Sequence, residues 1–146
     1  LWTHQIQLTI ADLVVQAHDT HHPLGGAFYY EDQKPEAKRH AENFRKNRLP
    51  KFLAWFERIL AANPKGAKHL VGARLTYADL SLFQAVAGLR YAFPRAMARQ
   101  LKKTPHVAAL HDAVAEQRRI KAYLGSDRRL AFNEQGIFRR YPELDG

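Results

Sequence analysis

The chain of 146 residues contains no cysteine. Disulfide bonds and thiolate chemistry are therefore excluded for these residues, and the absence is compatible with a reducing compartment. No apolar run approaches the roughly 20 residues that a membrane-spanning helix needs, and no signal-peptide pattern opens the chain. The sequence also has no zinc-site cysteine spacing, no glycine-rich phosphate loop and no clear strand. We therefore expect a helical protein with no membrane partner.

Positive charge is in excess overall but missing from the start of the chain. Lys and Arg number 23 against 14 Asp and Glu, which gives a net charge of +9. Residues 1–33 hold four acids and no Lys or Arg, whereas residues 34–75 hold eleven bases and three acids. A strongly basic balance is typical of nucleic-acid-binding proteins, but no aromatic residues alternate with the bases on a strand. Nucleic-acid binding therefore rests on charge alone, and we do not favour it.

The segment Leu75–Leu80 predicts the start of a central helix. Thr76 and Asp79 are three residues apart, which is the spacing of a capping box, and Leu75 and Leu80 occupy the two positions of a hydrophobic staple. Residues 80–89 then carry no charge on any face. We therefore expect a helix that is buried on all sides.

Residues 2–18 predict the first helix, in which a polar strip runs beside the apolar stripe. The strip consists of Gln5, Thr9, Asp12 and Gln16. It is either a solvated flank or a surface that the helix presents to a ligand or a partner subunit.

A long second helix is predicted over about residues 35–62. Pro50 lies inside it and should kink it, because proline removes one backbone hydrogen bond. Arg48 falls on the buried face of this helix. An unpaired buried charge is costly, so we expect Arg48 to extend to solvent or to pair with an acid of the first helix, such as Asp12 or Asp19.

The rest of the chain predicts shorter helices and an irregular tail. Thr104 is the expected N-cap of a helix whose first residue is Pro105. Residues 127–146 lack helical periodicity but contain several large apolar side chains, namely Leu130, Phe132, Ile137, Phe138 and Tyr141. The sequence thus predicts a single all-α domain over residues 1–146, in which a bundle of five to six helices (1–124) is followed by a tail (125–146) that packs onto it. Because the first residue is Leu1, within a helical pattern, we also expect a piece of a longer protein.

Three histidines lie where the first helix should end. His18, His21 and His22 have the i, i+3, i+4 spacing of metal ligands on a helix. Pro23 argues against a regular helix there, and no second ligand cluster appears, so we predict no metal site. Hydrogen bonding at the helix end or the lining of a pocket is the favoured role. The aromatic residues 28–30 that follow either cap the core or face a cavity.

The segment Leu70–Leu80, with its capping box and staple, resembles a motif of the glutathione S-transferase C-terminal domain. The other elements agree in order: an opening helix with Asp12, a long second helix with Arg48-Leu-Pro50-Lys-Phe, and closing helices over 105–114 and 119–124. The resemblance covers most of the chain. The thioredoxin-like N-terminal domain of that family is absent from these residues.

The resemblance implies a role without chemistry for this half. In the family, the missing domain holds most of the glutathione site and the thiol-activating residue, so no catalytic residue is assigned here. This half would provide the wall of the electrophile pocket and much of the interface of a cytoplasmic homodimer, with glutathione as co-substrate and no cofactor. Asp12, with Gln16 one turn on, is the candidate contact to glutathione held by the other subunit; the alternative is an ordinary surface acid.

For the pocket that binds hydrophobic electrophiles, the candidates lie at and after the end of the first helix: His18, His22, Phe28, Tyr29 and Tyr30. Each of these side chains could instead serve only in packing. Two other functions remain open: a non-catalytic protein-interaction domain of the same fold, and a basic helical domain that binds nucleic acid.

Overall fold

The structure, a computed structural model, describes residues 1–146, and all its regular elements are helical. The helices are α1 (Trp2–Asp19), α2 (Lys34–Asn43), α3 (Leu49–Ala62), α4 (Tyr77–Ala92), α5 (Pro94–Leu101), α6 (Pro105–Ala115), α7 (Arg118–Leu124) and α8 (Pro142–Asp145). A short 3₁₀ turn (Tyr30–Gln33) precedes α2, and a π-helical turn (Phe44–Arg48) joins α2 to α3. The predicted all-α class is confirmed, and none of the helices is long and apolar enough to cross a membrane.

The long second helix is interrupted by the π-helical turn just before Pro50. The Leu49 N–H donates to the Phe44 carbonyl, five residues back, at the end of this turn. Pro50 has no N–H and its ring would collide with the carbonyl four residues earlier in a regular α-helix. The wider π turn relieves that conflict one residue before the proline. Counted as one interrupted helix, α2 and α3 bring the number of helices before the tail to six.

Helix α4 lies at the centre of the bundle and packs mainly against α1 and α6. Leu82, Val86 and Leu89 are fully buried in the core. The prediction that α4 is buried on all sides is wrong, because Leu80 and Gln84 are exposed. These two residues are four apart and therefore share one face of the helix, which remains open between α1 and the tail.

Asp79 anchors the start of α4 and the loop before it. Its Oδ2 accepts hydrogen bonds from the Thr76 N–H and the Thr76 hydroxyl, each at 2.7 Å, and its Oδ1 accepts from the Leu70 N–H at 2.7 Å. This is a capping box whose acid has no exposed surface. The two residues at the staple positions are less buried than Asp79: Leu75 is 37% exposed and Leu80 is 36% exposed.

The start of α6 is capped by a side chain from another helix. Both carboxylate oxygens of Glu57, in α3, accept backbone N–H groups, from His106 at 3.1 Å and from Val107 at 3.0 Å. Thr104 stands at the predicted N-cap position, but its hydroxyl donates to the Gln100 carbonyl of the preceding helix. The acid satisfies the free donors of the helix and also matches the positive end of its dipole.

The C-terminal tail packs onto the bundle, as predicted. Tyr141 stacks on Tyr30 with ring centroids 3.8 Å apart, and the Tyr30 hydroxyl donates to Glu143 Oε1 at 2.9 Å. Leu144 is buried in the core. Asp145 accepts two backbone N–H groups from the first turn of α5, at 2.8 and 3.1 Å. The tail is therefore held by stacking, by burial and by a helix cap.

Candidate functional site: a groove beside α4 and a histidine cluster

The largest cavity is a groove of about 740 Å³ between α1, α4 and the tail, here named the α1–α4 groove. Ten of its fifteen lining residues are hydrophobic. They include Val14 and Val15 of α1, Leu80 of α4, and Phe132 and Phe138 of the tail. A volume between about 300 and 1,000 Å³ with mostly apolar walls is typical of small-molecule sites.

The helical register explains why α1 and α4 leave this groove open. Ile6 and Leu13 of α1 are buried in the core, whereas Ala11 and Val15 are exposed and line the groove. Because Ala11 and Val15 are four residues apart, they form one stripe on α1. The exposed face of α4 that carries Leu80 provides the opposite wall.

Phe138 forms the third wall by packing directly on α4. Its ring lies against Gly88, where a Cβ atom would collide with the ring carbons. Phe132 stacks on Tyr91 of α4 with centroids 5.1 Å apart, and its ring is edge-on to Phe138 at 6.3 Å. A glycine in the middle of α4 is thus what allows the tail to approach the helix and close one side of the groove.

Polar groups in the groove are few. Gln7, Ser81, Gln84 and Asn133 are among the lining residues. The side-chain oxygen of Gln7 is enclosed and has no hydrogen-bond partner. A buried acceptor without a partner costs roughly 1–3 kcal/mol. The groove therefore has mostly apolar walls with few polar side chains among them.

The five predicted pocket residues lie outside the lining of this groove. Tyr30 is 4% exposed, and its ring and hydroxyl are already engaged by the tail. Phe28 and Tyr29 are 51% and 78% exposed in the loop before α2. His18 and His22 belong to the histidine cluster at the end of α1. Contact of any of these residues with a substrate stays a prediction.

Asp12 and Gln16 form a polar triad with Arg48 on α1 and the π-helical turn. The Gln16 side-chain amide donates to Asp12 Oδ1 at 3.0 Å, and its Oε1 accepts from Arg48 Nε at 2.8 Å. Arg48 Nη2 lies 3.9 Å from Asp12 Oδ2, which confirms the predicted pairing with an acid of the first helix. None of the three residues lines the α1–α4 groove.

The groove-lining side chains Val15, Gln84, Phe132 and Phe138 were not among the residues predicted for a site. One signal in the sequence could have indicated them. The uncharged run of α4 is wider than a single core-facing stripe requires, so part of it must face something other than the core. The tail segment that forms the facing wall has no helical periodicity, so the sequence alone could not predict its position.

The histidine cluster joins the end of α1 to the tail. His21 and His22 are 1% and 8% exposed, and their Nδ1 atoms are 2.5 Å apart. His21 Nε2 lies 2.8 Å from the Ile137 carbonyl oxygen. The pKa of His21 is lowered to about 4, mainly by burial and in part by charge repulsion from Arg139 and His18. The pKa of His22 is also lowered, again mainly by burial. Both rings are therefore neutral at pH 7.

Comparison with known proteins gives one consistent result. Residues 18–127 match the profile of the family described as glutathione S-transferase, C-terminal domain. A glutathione S-transferase of Dirofilaria immitis is 31% identical over 94 residues, which cover 64% of this chain and 40% of that protein. The chain thus spans less than half the length of this curated relative. Most of α1 and the tail beyond residue 127 lie outside the family match, whereas α2 to α7 lie inside it.

Proposed function

Because the chain belongs to the glutathione S-transferase C-terminal domain family, we propose that it is the helical half of a glutathione transferase and that its α1–α4 groove binds a hydrophobic electrophile. The observation that carries this proposal is the groove itself, which has about 740 Å³ of space and mostly apolar walls. Two of its three walls come from α1 and the tail. Most of α1 and the tail lie outside the family match. The proposal that the groove binds the electrophile therefore rests on the geometry and the apolar lining of the groove.

The reaction is the attack of the glutathione thiolate on an electrophilic carbon. A carbon–sulfur bond forms, the bond to the leaving group breaks, and the thiol proton passes to a base or to solvent. The groove holds the apolar part of the electrophile and excludes water from it. Thiol activation and most glutathione contacts belong to a thioredoxin-like domain outside these residues, and no catalytic residue is assigned here.

We assign Asp12 a cross-subunit contact within a cytoplasmic, detoxifying homodimer. Its carboxylate is 54% exposed. It would pair with the ammonium group of the γ-glutamyl residue of glutathione held by the other subunit, while Gln16 and Arg48 orient it. An exposed ion pair of this kind contributes on the order of 1 kcal/mol.

The electrophile site is tested by filling the groove in the full protein that contains this chain. Val15→Trp places a large ring in the groove from a position that is already 56% exposed. The KM for a generic aryl halide should rise about tenfold or more, with the KM for glutathione unchanged. Leu8→Trp is the matched control, because Leu8 is 58% exposed on the same helix and does not line the groove. An equal KM for the aryl halide in both variants would exclude the groove as the site.

The glutathione contact is tested by Asp12→Asn. We expect the KM for glutathione to rise about fivefold, which corresponds to an exposed ion pair of order 1 kcal/mol, while the KM for the aryl halide stays constant. Asp112→Asn is the control, since Asp112 is also highly exposed but lies on α6. Sedimentation velocity of both variants shows whether the dimer persists. A full protein with no conjugating activity toward any aryl halide would instead favour a non-catalytic interaction domain.

A further inference from the structure

The three histidines at the end of α1 come together although the helix does not continue through them. Helix α1 ends at Asp19, yet Thr20 keeps helical torsion angles, so His21 and His22 follow on a tight turn before Pro23. One ring nitrogen of each histidine lies within 4.8 Å of those of the other two. The ring centroids are 4.8 to 5.4 Å apart. The end of the regular helix before His21 and His22, the irregularity that argued against a metal site in the sequence, therefore does not separate the three histidines.

Two of the rings have one nitrogen fixed by an acceptor. His21 Nε2 faces the Ile137 carbonyl oxygen at 2.8 Å, and His18 Nδ1 faces Asp19 Oδ1 at 3.2 Å. A carbonyl or carboxylate oxygen only accepts, so in the neutral rings these nitrogens carry the hydrogen. The other nitrogen of each ring then presents a lone pair. A histidine oriented in this way, by a backbone carbonyl or a carboxylate behind it, is the arrangement found around bound metal ions.

The inward nitrogen of His21 also faces the next histidine. His21 Nδ1 and His22 Nδ1 are 2.5 Å apart and both rings are buried, so the two atoms must share one proton or one cation. Side-chain movements of about 1 Å would bring the three nitrogens to the separation of roughly 3.4 Å that a tetrahedral site with Zn–N bonds of about 2.1 Å requires. Arg139 opposes a cation here, whereas Asp19 and Glu31 favour one.

We propose that His18, His21 and His22 form a binding site for one divalent transition metal ion of the kind that imidazole ligands prefer, such as Zn²⁺. The hydrogen bond from His21 to Ile137 connects the site to the tail, and Ile137 lines the α1–α4 groove. The bound ion therefore fixes the end of α1 against one wall of the groove. This inference does not depend on the proposed transferase function.

The site is tested on the 146-residue chain, purified without a histidine tag and treated with a chelator. Isothermal titration should show one Zn²⁺ bound per chain with a micromolar or lower Kd, and Co²⁺ should give visible absorption bands of a low-symmetry complex. Saturation at 100 times the Kd should raise the melting temperature by about 5–10 °C. His18→Gln should lower the affinity at least tenfold without disturbing the core, because His18 is only partly buried.

Further variants distinguish the histidines that bind the metal ion from those that do not. His21→Gln and His22→Gln should abolish the Co²⁺ bands, with circular dichroism showing that the variants are folded. Asp19→Asn should weaken Zn²⁺ binding about tenfold through loss of the acceptor behind His18. His4→Gln, an exposed position on the same helix, should leave the affinity unchanged. Equal Zn²⁺ affinity in wild type and His18→Gln, or an equal loss in His4→Gln, would overturn the proposal.

Discussion

At the scale of single residues, Asp79 shows how one side chain can organise two segments. It has no exposed surface, and its carboxylate receives three hydrogen bonds, two from Thr76 and one from Leu70. The Thr76 bonds close the capping box, whereas the Leu70 bond fixes the loop that leads into it. Spacing alone could predict the first part. The second part joins residues nine apart across an irregular loop, for which no sequence pattern exists.

Removal of the Asp79 carboxylate should therefore cost more than a surface cap does. We expect Asp79→Ala to lower the free energy of unfolding by roughly 2–4 kcal/mol, since the buried Leu70 N–H and the partly buried Thr76 N–H lose their acceptor. Urea denaturation measures the change. The control is Asp127→Ala, an exposed acid at the start of the tail, which should change stability by less than about 0.5 kcal/mol. Equal midpoints for the two variants would contradict this role for Asp79.

His21 should make the stability of the metal-free chain depend on pH. Its pKa is lowered to about 4 in the folded state, against an ordinary value of 6.5. Between those values the unfolded chain binds the proton and the folded chain does not, so stability is complete above about pH 6.5 and decreases as the pH falls toward 4. Burial is the main cause, and Arg139, His18 and His22 also disfavour the charged ring, whereas the Ile137 carbonyl favours it.

The measurement compares wild type with His21→Gln by urea denaturation in the presence of a chelator. The difference in unfolding free energy between the two proteins should shrink by roughly 2 kcal/mol from pH 7 to pH 4, because the variant cannot take up the proton. Carboxylates that titrate in the same range affect both proteins alike and cancel. A difference that is constant with pH would show that His21 is readily protonated in the folded chain.

At the scale of helices, periodicity predicted most of the elements and their order. The start of α4 and the long second helix follow from caps, prolines and the spacing of apolar residues. What the sequence could not indicate is capping across elements. Glu57 lies in the middle of α3, yet it satisfies the first N–H groups of α6, 49 and 50 residues further along the chain. A local pattern assigned that cap to Thr104, because propensity describes only neighbours in sequence.

Gly88 offers a test of how α4 and the tail fit together. Glycine to alanine inside a helix ordinarily stabilises it by up to about 1 kcal/mol. Here the new Cβ would collide with the Phe138 ring, so we expect Gly88→Ala to destabilise the chain by roughly 1–3 kcal/mol. Thermal and urea denaturation measure the effect. Gly26→Ala is the control, because nothing lies near its Cβ position.

A double variant identifies the cause of that loss. If the collision with Phe138 is responsible, Gly88→Ala introduced into Phe138→Ala should be neutral or stabilising, since the obstructing ring is gone. Destabilisation by the same amount in both backgrounds would mean that the tail does not pack on α4 at Gly88, and the third wall of the groove would then be lost.

At the scale of the whole molecule, the fold class was predictable and the groove was not. The all-α bundle follows from helical periodicity and the absence of strand patterns. The groove needs three segments from distant parts of the chain, and one of them, the tail, has no period that would show which side it presents. Of the candidates at and after the end of α1, Tyr30 is engaged by the tail, whereas Phe28 and Tyr29 are exposed to solvent. Packing between distant segments therefore determines the part of the site that local sequence patterns could not predict.

We expect the tail to stabilise the entire bundle. Phe138, Tyr141 and Leu144 pack on α4, on the 3₁₀ turn and in the core, and Asp145 caps α5. Deletion of residues 128–146 should remove roughly 4–6 kcal/mol from a total of about 5–15. This is the lower end of about 1.5–3 kcal/mol for each of the three apolar side chains, because Phe138 and Tyr141 are only partly buried. The melting temperature measured by calorimetry should then fall by about 10–20 °C. Leu130→Ala, which alters a tail residue that is 86% exposed, should leave it unchanged. If the truncated chain had the same melting temperature as the wild type, the bundle would be stable without the tail, and the tail would serve only to line the groove.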